Sequence, residues 1–322
     1  MKTKTKNKKF SVLYISGLVS LVIICFIFAP RSSDMLVGEP QIPMLNGKYC
    51  EPIAKIDPAN VSVMLDNELF GKYAYICCAD TRSVIAEKDS GTKASPASLT
   101  KIMTAIVILE NADNLDAKVT VSEKIYGKLY SEGASMAGFL PGETVTLRDL
   151  LYGIMLPSGA EAAAAAAEYI AGSDSALVDM MNSKAAEMGL SNTHFENIYG
   201  FDDDSHYSNA AEMASILMYA LENDTFREIT QTRSYTVKPT NKHSDGFTMN
   251  STVFTKIGDN IPKETVILGG KTGYTYDAGL CLATYAEHDG KTYVAVVMGA
   301  DGNHRTEQKQ VYDTVYLYDN FT

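Results

Sequence analysis

Apolar positions change their spacing three times along this chain, and each change predicts a different kind of element. Residues 10–29 form one uncharged run behind Lys2, Lys4, Lys6, Lys8 and Lys9. At about 1.5 Å per residue, a helix of that length spans roughly 30 Å, the thickness of a bilayer core. The run ends Cys25-Phe26-Ile27-Phe28-Ala29-Pro30 without a small-x-small cleavage site. Residues 1–33 are therefore expected to be a basic cytoplasmic tail and a single-pass anchor, with the body extracytoplasmic. A cleaved signal and a secreted body are the alternative. Cys25 follows the bulky Ile24, which reads as apolar filler rather than a lipid-attachment site. Residues 34–60 carry Pro and Gly with little period and read as a linker, leaving 61–322 as the folded body.

Within that body the period is first two. Residues 73–78 and 84–87, separated by Asp80-Thr81-Arg82, predict a hairpin. After Pro96 the spacing becomes helical, with Ile102, Ala105, Ile106 and Leu109 on one face. Further helices are predicted over 146–156, over the alanine-rich 160–171 and over 175–188. From Ser234 the β period returns at 235–238, 265–272, 280–286 and 292–298, before a closing helix over 305–318. Strands at both ends with helices between them predict an α+β fold: one antiparallel sheet drawn from both chain ends, with an inserted helical lobe.

Composition narrows the chemistry. Beyond residue 33 the chain has 22 Lys plus Arg against 39 Asp plus Glu, a formal charge of −17. Such a surface repels phosphate backbones, so no nucleic-acid partner is expected. Cys50, Cys77, Cys78 and Cys281 show no CxxC spacing, and the adjacent Cys77 and Cys78 point to opposite strand faces. They read as small apolar fillers, although the exported compartment permits a disulfide. No two of His194, His206, His243, His288 and His304 stand at HExxH spacing, and the consecutive Asp202-Asp203-Asp204 lack the spacing of a calcium loop. Neither a metal nor a cofactor is expected.

The remaining candidates lie in three short stretches: Ser98-Leu99-Thr100-Lys101, Ser158-Gly159-Ala160 and Lys271-Thr272-Gly273. Ser98 and Lys101 open the apolar helix after Pro96, one turn apart on one face. A serine hydroxyl attacks only when a base takes its proton, and a buried lysine amine can be that base. A second match, Ser90-Gly91-Thr92-Lys93, falls in a polar loop that fixes no such distance. Lys271 supplies a second positive charge, Thr272 a hydroxyl, and Gly273 room for a substrate beside the strand. The backbone N–H groups of Ser98 and Tyr274 are candidate donors to a carbonyl oxygen that becomes an oxyanion.

With these stretches the chain resembles the D-alanyl-D-alanine carboxypeptidases, the low-molecular-weight penicillin-binding proteins of the serine peptidase class. The similarity extends through Leu140-Pro141-Gly142-Glu143, Met155-Leu156-Pro157, Phe195-Glu196-Asn197 with Gly200, and His206-Tyr207-Ser208. It covers nearly everything from about Val61 onward. The resemblance implies a β-lactamase/transpeptidase-like fold and removal of the terminal D-alanine from peptidoglycan stem peptides through an acyl-enzyme on Ser98. β-Lactams would be the inhibitors. It also implies Ser98 as nucleophile, Lys101 as general base and Ser158 as proton relay to the leaving amine. Lys271, Thr272, Gly273 and Tyr274 would bind substrate, with Arg305 a further carboxylate ligand or simply an exposed arginine opening the last helix. His206 would line the groove or be bonded locally.

Two departures leave alternatives open. Ala160 stands where the family has Asn, so no amide orients the first lysine or holds a substrate carbonyl; Glu161, one place on, either restores a partner to Lys101 or is hidden by the helix turn. The C-terminal β-domain and amphipathic anchor of many relatives are not seen, and the N-terminal span is the expected substitute. A catalytically impaired peptidoglycan- or β-lactam-binding sensor is the second reading. A class A-like β-lactamase is the third, disfavoured because no Glu-x-x-x-Asn segment follows Gly159.

Overall fold

The structure, a computed structural model, describes residues 63–65 and 69–322. The expected tail and anchor at 1–33 and the linker at 34–60 lie outside the described residues. Among the described residues no helix is long and apolar enough to cross a membrane.

The described chain opens with β1 (Val63–Met64), β2 (Tyr73–Cys78) and β3 (Ser83–Lys88). It continues through α1 (Thr100–Asn111), β4 (Lys118–Thr120), α2 (Tyr126–Ser131) and β5 (Thr144–Thr146). Five helices follow: α3 (Leu147–Met155), α4 (Ala160–Ala171), α5 (Asp174–Glu187), α6 (Ala210–Ala220) and α7 (Asp224–Gln231). A ribbon of β6 (Ser234–Val237) and β7 (Phe247–Asn250) precedes α8 (Thr252–Ile257). The chain then forms β8 (Val266–Thr275), β9 (Gly279–His288), β10 (Lys291–Ala300) and α9 (Lys309–Phe321).

The main sheet runs β1-β3-β2-β10-β9-β8. β2 lies antiparallel to β10 with Tyr75 opposite Val296, so the two chain ends meet in its middle as expected. The edge departs from the expected all-antiparallel sheet, because β1 pairs with β3 in parallel, Val63 opposite Ala86. β2 has β3 on one side and β10 on the other, so β1 takes the free edge of β3, which runs the same way. Successive side chains alternate between two cores. Tyr75, Cys77, Ala283, Tyr285, Val294 and Val296 face the helical lobe; Ala74, Ile76, Leu282, Ala295 and Val297 face α8 and α9. Cys77, Cys78 and Cys281 are free and buried, so no disulfide forms among them; Cys50 lies outside the described residues.

The alanines of α4 have a packing reason. Residues 160 and 162–167 are buried, and small side chains let α3 approach closely. A Cβ at Gly153 of α3 would lie 3.0 Å from that of Ala162 and 2.7 Å from the Phe139 ring. A capping box of Thr146 and Asp149 starts α3, a device worth about 1 kcal/mol. Gly172, at φ 82°, ends α4 in the left-handed conformation that glycine adopts without penalty. At the junction of α3 and α4, where Ser158 lies, the Gly159 amide donates to the Gly153 carbonyl at 2.8 Å.

Candidate active site

Ser98 sits in a 3-10 turn, Ala97–Leu99, immediately before α1. Two backbones wedge that turn. A Cβ at Gly200, whose φ is 84°, would fall 1.9 Å from the Ala97 carbonyl oxygen, and one at Gly273 of β8 would fall 3.2 Å from the Ala97 Cβ. Ala97 itself is held at φ 47°. At Gly200 no side chain fits and at Gly273 one would crowd the turn, so the 199–201 loop and β8 close on the serine from both sides.

One turn on, Lys101 Nζ donates to Ser98 Oγ at 3.1 Å and to the Tyr199 carbonyl at 2.8 Å. The amine is buried, and burial lowers its pKa from 10.5 to about 7 against the opposing pull of the Glu161 charge. Lys271 is also fully buried on β8 and donates to the Thr272 carbonyl at 2.9 Å. Burial first, and then the Lys101 charge, hold it well below the ordinary lysine range. Two ammonium groups in one dry site repel, so protonating either disfavours protonating the other.

Ser158 completes the group at the junction of α3 and α4. Its φ is 68°, unusual for a residue with a Cβ, and its buried Oγ has no hydrogen-bond partner. Strain and an unsatisfied hydroxyl at one residue are each costly, and such costs collect where a substrate is handled. Thr252, the first residue of α8, ties the parts together: its Oγ1 donates to the Leu156 carbonyl at 3.0 Å and shares a 2.8 Å hydrogen bond with Thr272 Oγ1. Ser98, Ser135, Ser158, Thr272, Gly273 and Tyr274 line a cleft of about 250 Å³.

Other sequence candidates fall elsewhere. Arg305 is exposed in the 303–306 turn, four residues before α9 begins, and does not line the cleft. His206 is bonded locally: Nδ1 accepts from the Glu196 amide, so Nε2 carries the proton to Thr100 Oγ1 at 2.8 Å. Burial lowers its pKa to about 4. Ser90 hydrogen-bonds Glu87 while Lys93 lies over the Tyr207 ring, so the loop match has separate partners. Glu161 turns to the 137–139 segment, where its Oε1 accepts the amides of Ala137, Gly138 and Phe139 at 2.7, 2.8 and 3.2 Å. It acts on Lys101 through charge. Ala160 donates its amide to the Ser135 carbonyl at 2.8 Å and contributes no polar side chain.

Sequence reasoning did not find Ser135, Thr252, Lys256, His304 or Gln310, which also line the cleft. They come from a loop, a six-residue helix, the turn before α9 and the first turn of α9 itself, none carrying a motif. The Tyr199 carbonyl is a backbone group and invisible to residue type.

This geometry has counterparts among known proteins. Residues 62–302 match the family described as D-alanyl-D-alanine carboxypeptidase. The chain is 35% identical over 227 residues to a D-alanyl-D-alanine carboxypeptidase of Streptomyces sp. (strain K15), covering 68% of this chain and 77% of that one. It is 36% identical over 234 residues to the carboxypeptidase DacF of Bacillus subtilis (strain 168), covering 71% of this chain but only 57% of its relative. The crystal structure of the Streptomyces K15 DD-transpeptidase superposes with a TM-score of 0.71 at 30% identity, over 79% of this chain and 98% of that one.

Proposed function

The chain belongs to the D-alanyl-D-alanine carboxypeptidase family of serine peptidases and penicillin-binding proteins, and from this we propose that it releases the terminal D-alanine of peptidoglycan stem peptides through an acyl-enzyme on Ser98. One observation carries the reading. Lys101 Nζ lies 3.1 Å from Ser98 Oγ with its pKa lowered to about 7, where the amine is ready to accept a proton.

In the neutral form the Lys101 lone pair takes the hydroxyl proton as Ser98 Oγ attacks the penultimate carbonyl carbon. The amides of Ser98 and Tyr274 are the proposed donors to the resulting oxyanion. Ser158, whose buried Oγ has no protein hydrogen-bond partner, passes the proton to the leaving D-alanine nitrogen. Water then cleaves the ester and restores Ser98. Thr272, Gly273 and Tyr274 form the strip along which the peptide lies, while Lys271 holds the shared positive charge next to Lys101. Residues 1–33 are proposed to tether this domain, residues 61–322, to the membrane through the linker at 34–60. The extracytoplasmic placement follows from the lysines that precede the apolar run.

D-alanine release from an N-acylated peptide ending in D-Ala-D-Ala tests the reading, with fluorescent penicillin labelling run beside it. Wild type should show both and Ser98→Ala neither. The absence of a polar side chain at Ala160 favours one rival, a sensor that is acylated but does not turn over. Labelling at Ser98 with no release would establish that rival.

A further inference from the structure

The proposed substrate ends in a free carboxylate, and a dry cleft must meet that charge with a cation. The two motif lysines are poorly placed to do so. Lys101 Nζ is engaged by Ser98 Oγ and the Tyr199 carbonyl, and Lys271 Nζ is fully buried on the Thr272 carbonyl. Arg305 lies outside the cleft lining.

Of the described residues that line the cleft, Lys256 alone is a lysine or arginine. It stands four residues after Thr252 in α8, and this spacing puts the two side chains on one helix face. Thr252 Oγ1 is in turn 2.8 Å from Thr272 Oγ1 on β8. The helix therefore carries an amine to the same wall as the third motif. That amine is held in place: Nζ donates to Gln308 Oε1 at 2.8 Å. The same oxygen accepts from Gln310 Nε2 at 3.1 Å, while Gln308 Nε2 is fixed by the carbonyls of Asn303 and Thr306 at 3.2 and 2.7 Å. An ammonium has three donors, so one is used for orientation and two are left for a ligand. His304, the neighbouring titratable group in the lining, packs its ring edge-on at 4.6 Å from Tyr274. Burial and the nearby Lys256 charge lower its pKa; burial lowers that of Lys256 as well, and an anionic ligand beside the amine favours its charged form.

We propose that Lys256, presented by α8 beside Thr272, receives the substrate's terminal carboxylate and sets the specificity for a free C-terminus. This rests on the carboxypeptidase reading above. A charge-assisted contact of this kind is made in the ground state and the transition state alike, so its loss appears mainly in KM.

The test compares an N-acyl-L-lysyl-D-alanyl-D-alanine peptide with its C-terminal amide. Wild type should prefer the acid. Lys256→Met should lower kcat/KM for the acid by about tenfold to a hundredfold, mostly through KM, and leave the amide almost unchanged. Lys256→Arg should restore most of the preference. An undiminished preference in Lys256→Met, or its loss in Arg305→Gln instead, would overturn the assignment. The carboxypeptidase reading fails separately, if wild type releases neither D-alanine from the acid nor D-alaninamide from the amide. Lys256 is then read from Ser98 acylation rates with benzylpenicillin and its methyl ester: the acid preference must vanish in Lys256→Met, and its survival refutes the proposal. Unchanged acylation by the ester shows that the variant is folded.

Discussion

Replacing Glu161 with Gln separates the charge acting on Lys101 from the hydrogen bonds that shape the cleft wall. An ordinary lysine is neutral at pH 7 in about one molecule in 2,500, whereas an amine with a pKa of about 7 is neutral in about half. Burial thus raises the base-ready fraction roughly a thousandfold. Glu161 opposes that shift, so removing its charge moves the Lys101 pKa lower still. A change of about half to one pH unit gives at most about a twofold gain in kcat/KM at pH 7 but roughly three- to tenfold near pH 5.5. The gain tapers at the acid end, because burial also raises the Glu161 carboxyl above the usual range and protonation there removes the charge in wild type. Gln Oε1 keeps the three amides of 137–139 as donors, with weaker bonds that cost about 1–2 kcal/mol. The assay is the second-order rate of fluorescent penicillin acylation from pH 5 to 9, with thermal unfolding measured in parallel. The expected signature is an unchanged alkaline plateau and an acid limb moved to lower pH. A limb that stays fixed, or moves up, refutes the charge argument whatever happens to stability. The linkage sign is also testable. Lys101 has a lowered folded pKa, so its burial cost is fully felt below about pH 7 and relieved as pH rises toward 10.5.

Three further outcomes are expected. Ser98→Ala abolishes penicillin labelling while Ser90→Ala, whose hydroxyl bonds to Glu87, leaves it intact; mass spectrometry of the labelled peptide locates the adduct. Gly200→Ala meets the Ala97 carbonyl at 1.9 Å in a left-handed conformation, and should destabilise by at least about 2 kcal/mol and cut acylation more than tenfold. Retention of wild-type acylation would show that the turn does not depend on that approach. Ala160→Asn places a larger side chain at a fully buried position, and should raise D-alanine release by less than about tenfold while lowering Tm at a cost of about 1–3 kcal/mol. A lower release rate would mean the site is rebuilt around alanine.

The strands and helices with clean periods were legible from sequence: β2 and β3, α1, α3 to α5, and β8 to β10 stand close to where spacing puts them. Ser98 and Lys101 were legible for the same reason, since a helix opening converts sequence spacing into distance. α6 and α7 went unread for different reasons: the eleven residues of α6 are apolar on nearly every face and show no one-sided stripe, while α7 has only eight residues. α8 has six residues, too few for a pattern, yet it carries both Thr252 and Lys256. The closing helix was expected from residue 305, but it starts at Lys309, and that difference puts Arg305 in a turn. Glu161 was the hardest to read. A carboxylate three residues after Ser158 suggests a partner for lysine, while its three bonds run to the backbone of a distant loop.

The pairing of β2 with β10 joins residues more than two hundred positions apart, Tyr75 with Val296, and this has a consequence for how the protein matures. The turn that holds Ser98 rests on β8, and β8 joins β2 only through β9 and β10. Nothing synthesised before those strands can assemble the seat of Ser98. Contacts so remote in sequence close slowly, so reactivity toward penicillin should arise late, as a property of the finished chain. A label on Ser98 then doubles as a clock for folding, marking the molecules in which the first and last parts of the chain have found each other.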